Sequence, residues 1–360
     1  MGELRLMKGN EAVAEAAIRA GCDGYFGYPI TPQSEIMEYL MMEKPHERTG
    51  MVVLQAESEV ASINMLYGGA GTGKMVMTSS SSPGISLMQE GISYMAGAEL
   101  PCLLVNIVRG GPGLGTIQPS QADYFQAVKG GGHGDYKMIV LAPASVQEMS
   151  DFAKLGFELA FKYRTPVMIL SDGAIGQMME KVELFDPVPR RTEEELIRQC
   201  PWAATGKPKS RDHIIITSLD LDPAGQERVN LKLQAKYRQM EENEVRYELI
   251  QCEDAEYLFI AFGLSARICQ KSIDLARAKG IKVGLLRPIS LFPFPVKPVR
   301  EMAQKVKGIL VVEMNAGQMI EDVRLAAGCS IKTEHYGRFG GIIPTPDEVV
   351  SALEKNIIGG

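Results

Sequence analysis

Arg109 and the glycines that follow it form a pattern that could bind an anion. Residues 102–108 are strongly apolar, as is typical of buried parallel strands. The glycines of residues 110–115 would let a loop approach a bound molecule closely. A guanidinium at the carboxyl end of a strand can bind a carboxylate through two parallel hydrogen bonds. A structural salt bridge is the alternative interpretation of Arg109.

Two acids, Glu57 and Glu59, open a predicted helix over residues 57–70 that is rich in small side chains. Side chains two positions apart on a helix point in different directions, so the two carboxylates face different surroundings. The helix dipole favours acids in a first turn, which would explain both without any function. The functional alternative is a single buried carboxylate that hydrogen-bonds a heterocycle.

A stiff loop, residues 27–35, precedes another predicted helix. Pro29 and Pro32 fix the φ angle there and bias the residues before them toward extended backbone. The loop holds the Thr31 hydroxyl before a helix N-terminus, a place that suits a carboxylate or a phosphate. Residues Thr31 through Ser34 could equally well cap the helix.

A run of serines, residues 79–82, follows a predicted strand and opens a predicted helix. Ligands bind at the carboxyl ends of parallel strands, which makes Ser82 a candidate binding residue. A serine hydrolase is weakly supported, because the sequence has no G-x-S-x-G motif and no histidine lies nearby.

The glycine-rich segment at residues 68–74 satisfies the pattern G-x-x-x-x-G-K, but Met75 stands where a P-loop needs Ser or Thr. A P-loop leaves a strand and opens a helix. Here a predicted helix comes before the glycines and a predicted strand follows them. The order favours a helix-to-strand turn over a nucleotide site.

Strand-like and helical stretches alternate over residues 12–177 and again from residue 257, which predicts an α/β fold with two doubly wound domains. The intervening sequence is polar and rich in proline, and it contains a charged helical stretch that we interpret as a strut. We therefore expect a first domain at residues 1–185, a linker with a helical strut at 186–250, and a smaller second domain at 251–360.

Composition excludes several classes of protein. The 360 residues carry a net charge of −6, which argues against a nucleic-acid partner. No apolar run of about 18 residues and no signal-peptide pattern is present, so we expect a cytoplasmic protein without membrane association. The six cysteines lie far apart without C-x-x-C, and the four histidines are scattered. A metal site built by this chain is therefore not expected.

Taken in order, the Y-P-I-T-P loop at residues 28–32, the S-E pair at 58–59, the strand that ends at Arg109 and the V-E-M-N-A-G-Q stretch at 312–318 resemble the α-type subunit of 2-oxoacid:ferredoxin oxidoreductases. The resemblance implies that the first domain is the Pyr (pyrimidine-binding) domain of a thiamine enzyme. It also implies that the second domain is similar to the transketolase C-terminal domain.

The resemblance assigns roles to individual residues. Thr31 and Arg109 are expected to bind the carboxylate of the substrate. Glu59 is expected to hydrogen-bond N1′ of the aminopyrimidine of thiamine diphosphate. The other expected cofactor-binding residues are Pro29, Ile30 and Ser82. Glu57 is assigned no role.

The implied reaction is the oxidative decarboxylation of a 2-oxoacid to an acyl-CoA and CO2, with coenzyme A as co-substrate and ferredoxin as electron acceptor. The sequence lacks the G-D-G motif with which thiamine enzymes bind Mg²⁺. We therefore expect Mg²⁺ and the iron–sulfur cluster on partner subunits. The implied partners are a β-type subunit that carries the diphosphate site, and γ-type and ferredoxin-like subunits. The chain should be active only with them.

The substrate is predicted from the loop at residues 113–124, which contains no lysine or arginine. A 2-oxoglutarate enzyme would need a second cation for the distal carboxylate. The loop is most similar to the branched-chain subfamily, which acts on 3-methyl-2-oxobutanoate. A 2-oxoglutarate:ferredoxin oxidoreductase α subunit and a non-catalytic scaffold subunit are the alternatives.

Overall fold

Three β-sheets organise the chain in this computed structural model, which describes residues 3–206 and 212–359. The described strands are, in chain order, β1 (Glu3–Lys8), β2 (Gly24–Gly27), β3 (Val52–Gln55), β4 (Val76–Ser80), β5 (Cys102–Val108), β6 (Ile139–Leu141), β7 (Pro166–Asp172), β8 (Met179–Leu184), β9 (Tyr247–Ile250), β10 (Tyr257–Ile260), β11 (Val283–Pro288), β12 (Ser290–Phe292), β13 (Gly308–Glu313) and β14 (Thr333–Gly337). The first sheet has the order β12-β6-β7-β5-β4-β2-β3 and the second β14-β13-β10-β11-β9, while β1 and β8 form an antiparallel ribbon.

Helices connect the strands of both large sheets, and side-chain caps mark the start of several of them. The Ser145 hydroxyl, for example, accepts from Glu148 N at 3.1 Å. The described helices are α1 (Gly9–Arg19), α2 (Ser34–Glu43), α3 (Pro45–Thr49), α4 (Glu59–Gly71), α5 (Ser82–Gly97), α6 (Tyr124–Val128), α7 (Val146–Tyr163), α8 (Gly173–Gln177), α9 (Glu193–Gln199), α10 (Pro223–Asn243), α11 (Gly263–Ala278), α12 (Val296–Ala303), α13 (Met319–Ala327) and α14 (Pro346–Leu353), and a π-helical turn follows at Glu354–Ile358.

The centre of the first sheet is its most deeply buried part. Strands β4, β5 and β7 run parallel, and every residue of each is buried. Helices α5 and α7 pack against β5, so its two faces are both covered and its sequence is apolar along nearly its whole length. This is the doubly wound arrangement that the alternation of strands and helices predicts.

The second domain contributes a strand to the first sheet. Strand β12 pairs antiparallel with β6, with Ser290 opposite Leu141 and Phe292 opposite Val140. The backbone N–H of Ala142 also donates to Ile289 O at 2.8 Å. The two domains are therefore joined through a shared sheet edge as well as through the chain between them.

Helix α10 lies against the first domain and is not a free-standing strut. Lys236 Nζ donates to Glu99 Oε1 at 3.1 Å and to Arg164 O at 3.0 Å. Tyr237 and Met240 on the same helix are buried. The charged helix predicted from the sequence is thus present, and its apolar positions pack onto the domain that precedes it.

The glycine-rich segment that resembles a P-loop is a helix-to-strand turn, as its order in the sequence predicts. Helix α4 ends at Gly71 and strand β4 begins at Val76. Gly73 has φ +78°, and a Cβ there would lie 2.9 Å from Ala203 Cβ and 3.1 Å from Cys200 Cβ. The glycine is therefore explained by its backbone conformation and by close packing, and no phosphate is needed to account for it.

Candidate active site

The loops predicted to bind ligands meet at one edge of the first sheet. Strands β2, β4 and β5 are parallel neighbours that end at Gly27, Ser80 and Val108. Their carboxyl ends therefore lie together, where ligands bind in open α/β sheets. Three predicted features lie at these strand ends: the loop with Thr31 after β2, the serine run at the end of β4 and Arg109 after β5.

Arg109 is only 8% exposed, yet its guanidinium forms no ion pair with a carboxylate of the described residues and bonds two main-chain carbonyls instead. Nη1 donates to Thr31 O at 3.0 Å and Nη2 donates to Leu114 O at 3.1 Å. Nε is buried and has no partner within the described chain. The alternative of a structural salt bridge is therefore wrong for the described residues, and the charge is available to an anion.

Thr31 is held beside Arg109 through its backbone carbonyl, and its own side chain is exposed. It does not cap the following helix. Helix α2 begins at Ser34, and its N-cap Gln33 makes no side-chain capping bond. Gln33 Nε2 instead donates to Tyr28 O at 2.9 Å, and Gln33 Oε1 accepts from Ser79 Oγ at 2.6 Å. These bonds fix the loop to the sheet and leave the Thr31 hydroxyl free of a capping role.

The two acids at the start of α4 have different surroundings, as their spacing predicts. Glu57 is exposed, whereas Glu59 is 6% exposed. Ser58 caps the helix by accepting from Ala61 N at 3.2 Å. The Glu59 carboxylate lies against Gly84, where a Cβ would be 2.6 Å from Glu59 Oε1 and 2.0 Å from Ser80 Oγ. Among the described residues, none donates a hydrogen bond to this carboxylate. Glu59 is thus a buried acid without a partner in the described chain.

Several hydroxyls at the same edge are buried without a hydrogen-bond partner in the described chain, namely Thr78 Oγ1, Ser80 Oγ and Ser81 Oγ. Ser82 differs, because its Oγ accepts from Arg109 N at 3.1 Å and is 3.2 Å from Arg109 O. Buried polar groups normally have partners, so such a cluster indicates the position of a ligand. Ser82 has the further role of fixing the backbone of Arg109.

A cavity of about 630 Å³ opens in front of Arg109, between the two domains. The first domain contributes Ser82, Arg109 and Asp123 to its wall, and the second contributes Asn315, Gln318 and Phe339. Of the residues predicted from the sequence, Ser82 and Arg109 line this cavity. Thr31 is not part of the lining, but its carbonyl oxygen accepts a hydrogen bond from Arg109. Glu59, Pro29 and Ile30 also lie outside the lining.

Asp123 is a site residue that the motifs of the sequence do not reveal. It is half-buried, its Oδ2 accepts from Asn106 Nδ2 at 2.8 Å, and the Ser82 hydroxyl also contacts it. Burial raises the pKa of the Asp123 carboxyl above its ordinary value. Among the described residues that line the cavity, Asp123 and Arg109 are the charged ones. Nothing in its local sequence distinguishes Asp123 from other loop acids.

The late stretch at residues 312–318 binds the two domains together beside the cavity. Gln121 N donates to Met314 O at 3.0 Å, and Asn315 Nδ2 donates to Gln121 O at 2.8 Å. Farther along, Phe125 N donates to Gln318 Oε1 at 2.8 Å. These bonds connect the loop after β13 to the segment that carries Asp123.

Glu313 organises that loop from inside the second domain. Its fully buried carboxylate accepts from Asn315 Nδ2 at 3.0 Å, from Met319 N at 2.8 Å and from Ile320 N at 3.1 Å. It thereby satisfies donors at the N-terminus of α13, where a negative charge is favoured. Burial raises the pKa of Glu313, and the bonds it accepts oppose that rise.

Neither a membrane span nor a metal-binding cluster is found within residues 3–206 and 212–359. No helix of these ranges is long and apolar enough to cross a membrane. Nor do these ranges bring together three or more His, Cys, Asp or Glu side chains in a way that could hold a metal ion.

Comparison with known families identifies the group to which this site belongs. Residues 15–245 match the family model described as pyruvate flavodoxin/ferredoxin oxidoreductase, thiamine diphosphate-binding. The chain belongs to the 2-oxoacid:ferredoxin oxidoreductase family. Residues 255–349 match a second model, the pyruvate:ferredoxin oxidoreductase core domain II. The resemblance drawn from the motifs is therefore confirmed, as is the order of a thiamine-type domain followed by a smaller domain.

Curated relatives cover nearly the whole chain. The ketoisovalerate oxidoreductase subunit VorB of Methanothermobacter marburgensis is 52% identical over 340 residues, which is 94% of this chain and 93% of that protein. The 2-oxoglutarate synthase subunit KorA of Archaeoglobus fulgidus is 38% identical over 358 residues, 99% of this chain and 100% of that protein. This chain is therefore an oxidoreductase subunit of that thiamine-dependent family, and it works with partner subunits.

Solved structures agree on the fold. The 2-oxoglutarate:ferredoxin oxidoreductase from Magnetococcus marinus, with 2-oxoglutarate, coenzyme A and succinyl-CoA bound, superimposes with a TM-score of 0.86 at 30% identity, over 99% of this chain and 66% of that chain. A split-gene transketolase, described as an inactive β4 tetramer, has a TM-score of 0.60 at 14% identity over 98% of both chains. The second likeness shows the fold alone, and in that respect it agrees with the expected similarity to transketolase.

Proposed function

We propose that this chain is the α-type subunit of an enzyme that oxidatively decarboxylates a branched-chain 2-oxoacid, 3-methyl-2-oxobutanoate, to an acyl-CoA and CO2, with ferredoxin as electron acceptor. The observation that carries the proposal is the unpaired guanidinium of Arg109 in a cavity where it is the one cation among the described lining residues. The substrate is supported by the greater identity to the ketoisovalerate oxidoreductase subunit, 52%, than to the 2-oxoglutarate synthase subunit, 38%.

Arg109 binds the carboxylate of the substrate in this proposal. A guanidinium has five N–H donors in a planar fork, and the two hydrogen bonds to backbone carbonyls leave others unused, including the buried Nε. Those same two bonds hold the fork in place before the substrate arrives, so little side-chain entropy is lost on binding. The exposed hydroxyl of Thr31 stands beside it as a second donor to the carboxylate.

Glu59 holds or moves a proton at N1′ of the aminopyrimidine of thiamine diphosphate. The residues present fit that ring: Glu59 is buried without a partner in the described chain, Gly84 has no side chain and lets Glu59 and Ser80 come close to its backbone, and Ser80 and Ser81 keep unpaired hydroxyls nearby. The other residues proposed to contact the cofactor are Pro29, Ile30 and Ser82. When bound, thiamine diphosphate supplies the nucleophilic carbon and the electron sink that decarboxylation requires.

The rest of the machinery is proposed to lie on partner subunits. A β-type subunit would carry the diphosphate site and Mg²⁺, because this sequence has no G-D-G motif. γ-Type and ferredoxin-like subunits would complete the assembly, with an iron–sulfur cluster on a partner and coenzyme A as co-substrate. A coenzyme A ligand is described for the Magnetococcus marinus structure. All six cysteines lie in the described residues and none forms a disulfide, in keeping with a proposed cytoplasmic location.

The proposal is tested by mixing the chain with its partner subunits and measuring 2-oxoacid-dependent reduction of a viologen dye. Glu59→Gln should lower kcat by about 10²- to 10⁴-fold, because it removes the group that exchanges a proton with the cofactor. Glu57→Gln is the matched control, since Glu57 is an exposed acid two positions earlier, and it should keep full activity. Full activity of Glu59→Gln would contradict the role of Glu59.

A 2-oxoglutarate enzyme is the second candidate. It is favoured by the Magnetococcus marinus structure, whose description names 2-oxoglutarate as a ligand and which covers 99% of this chain. The same reconstituted enzyme separates the two candidates through kcat/KM for each substrate. We expect 3-methyl-2-oxobutanoate to have the larger value, because the described cavity wall offers no second cation for the distal carboxylate of 2-oxoglutarate.

A further inference from the structure

Phe339 of the second domain stands at the wall of the cavity that contains Arg109. It belongs to the loop that follows β14, and 65% of its surface is exposed. Rings of this size are usually well buried in a folded chain. An aromatic ring left open at a cavity with a buried cation is therefore a candidate for contact with a ligand.

Backbone contacts between glycines fix Phe339 relative to Arg109. A Cβ on Gly110 would lie 3.1 Å from Gly341 N and 3.3 Å from Gly340 C. Gly341 has φ +90°, and a Cβ there would lie 2.3 Å from Gln118 Cβ. The loop after Arg109 and the loop after β14 thus approach each other closely, and glycine at position 341 suits both that approach and the positive φ. Because Gly110 follows Arg109 directly and Gly340 follows Phe339, this contact places the backbones of Arg109 and Phe339 at the same cavity.

The surroundings of Phe339 suit an apolar group and disfavour a charged one. The adjacent Arg338 is paired with Glu348 in the second domain. The charged residues among the described lining are Arg109 and Asp123. A substrate whose carboxylate binds Arg109 and whose side chain extends to Phe339 would therefore meet an aromatic ring there. A branched alkyl group gains from that contact, whereas a second carboxylate would lose its water without a partner.

We propose that Phe339 is a specificity-determining residue, which forms part of the wall for the side chain of the 2-oxoacid and selects apolar branched side chains over dicarboxylic ones. The second domain thereby takes part in substrate selection. This inference rests on the proposed function, because it takes Arg109 as the group that binds the carboxylate.

The experiment uses the complete enzyme, assembled with saturating partner subunits, and measures kcat/KM for 3-methyl-2-oxobutanoate and for 2-oxoglutarate. Phe339→Ala should lower kcat/KM for the branched substrate about tenfold or more, mainly through KM, and Phe339→Leu should retain most of it. Phe339→Arg should shift the ratio of the two kcat/KM values toward 2-oxoglutarate by about tenfold or more. Leu325→Arg is the control, because Leu325 is 75% exposed on α13 outside the cavity lining, and it should leave the ratio unchanged.

The outcomes distinguish this inference from the proposed function. If wild-type enzyme turns over 2-oxoacids but Phe339→Ala and Phe339→Arg keep the wild-type ratio within about twofold, the specificity role is overturned and the proposed function stands. Weaker assembly of these variants with an unchanged ratio overturns it too, and assigns Phe339 to a subunit contact. If the wild-type enzyme reduces no dye with either 2-oxoacid, both the proposed function and the inference are wrong.

Discussion

At the scale of single residues, polar atoms without partners gather where the parallel strands of the first sheet end. Arg109 Nε, Ser80 Oγ and Ser81 Oγ are buried without a hydrogen bond from the described chain. Glu59, which is 6% exposed, lies beside Ser80 and Gly84. An unsatisfied buried group destabilises a fold by about 1–3 kcal/mol. Several of them together are best explained by a ligand that satisfies them when bound.

Asp172 gives a prediction about pH at this scale. It ends β7 and caps α8, where its Oδ1 accepts from Ala174 N at 2.9 Å and from Ile175 N at 3.2 Å. Burial raises the pKa of Asp172 to about 6, against the capping bonds, which lower it. Since the folded-state pKa exceeds the unfolded value of about 3.9, the protonated acid favours folding. That contribution is fully present below about pH 4 and is lost as pH rises through about 6.

The variant Asp172→Asn should remove this contribution, because asparagine also caps a helix but does not titrate. We measure the free energy of unfolding in urea between about pH 4 and about pH 7.5. In the wild type, the contribution of Asp172 to that free energy should fall by about 3 kcal/mol as pH rises. The variant should lack that loss. Glu57→Gln is the control, since it makes the same acid-to-amide change at an exposed position. Equal pH dependence in wild type and Asp172→Asn would show that Asp172 does not titrate in this range.

At the scale of elements, the buried strands are predictable from the sequence, whereas several strands at sheet edges are not. Strand β5 occupies the residues expected from its apolar sequence, and α4 begins two residues later than expected. The sequence does not predict the ribbon of β1 and β8 or the edge strand β14, because half-exposed strands carry polar residues and lack an apolar run. Strand β9 joins the second sheet within the expected linker. The domain bounds 1–185, 186–250 and 251–360 stay a prediction.

Helix α10 supports a stability prediction at the element scale. Met240 is fully buried against the first domain, whereas Leu231 on the same helix is 63% exposed. Met240→Ala should reduce the free energy of unfolding by about 2–5 kcal/mol, because it removes packed apolar atoms and leaves a cavity. Leu231→Ala should change it by no more than about 0.5 kcal/mol. Chemical unfolding of the two variants measures the difference, and equal values would mean that α10 is not packed as described.

At the scale of the whole molecule, the sequence indicates which loops matter but not what faces them. Thr31, Glu59 and Arg109 are predictable because they follow or precede regular elements that end at one sheet edge. Asp123 and Phe339 are not: Asp123 carries no motif around it, and Phe339 reaches the cavity only when the second domain packs on the first. The stretch at residues 312–318 stands out in the sequence only through resemblance, and the structure shows that it joins the domains.

The junction between the domains gives the last prediction. Gln121 is 3% exposed and its side chain bonds to the second domain three times: Nε2 donates to Phe262 O at 2.8 Å, and Oε1 accepts from Ser265 Oγ at 2.7 Å and from Met314 N at 3.0 Å. Gln121→Ala leaves these three buried groups without their partner, and each unsatisfied group should lower the free energy of unfolding by about 1–3 kcal/mol. The two domains should then unfold in separate transitions, and the reconstituted activity should fall because Asp123 and Arg109 lose their fixed facing wall.

Calorimetry of the chain and the dye-reduction assay together check this expectation. Gln304→Ala is the matched control, because Gln304 is an exposed glutamine in the second domain for which no side-chain hydrogen bond is found among the described residues, and it should behave as wild type. One unfolding transition at the wild-type temperature in Gln121→Ala would mean that the shared strand β12 and the other contacts between the domains couple them without the Gln121 side chain. Strand β12 lies at the edge of the first sheet opposite β2 and β3, and it can hold the domains together without positioning the cavity wall. A single wild-type unfolding transition combined with lowered activity would therefore show that Gln121 positions the cavity wall.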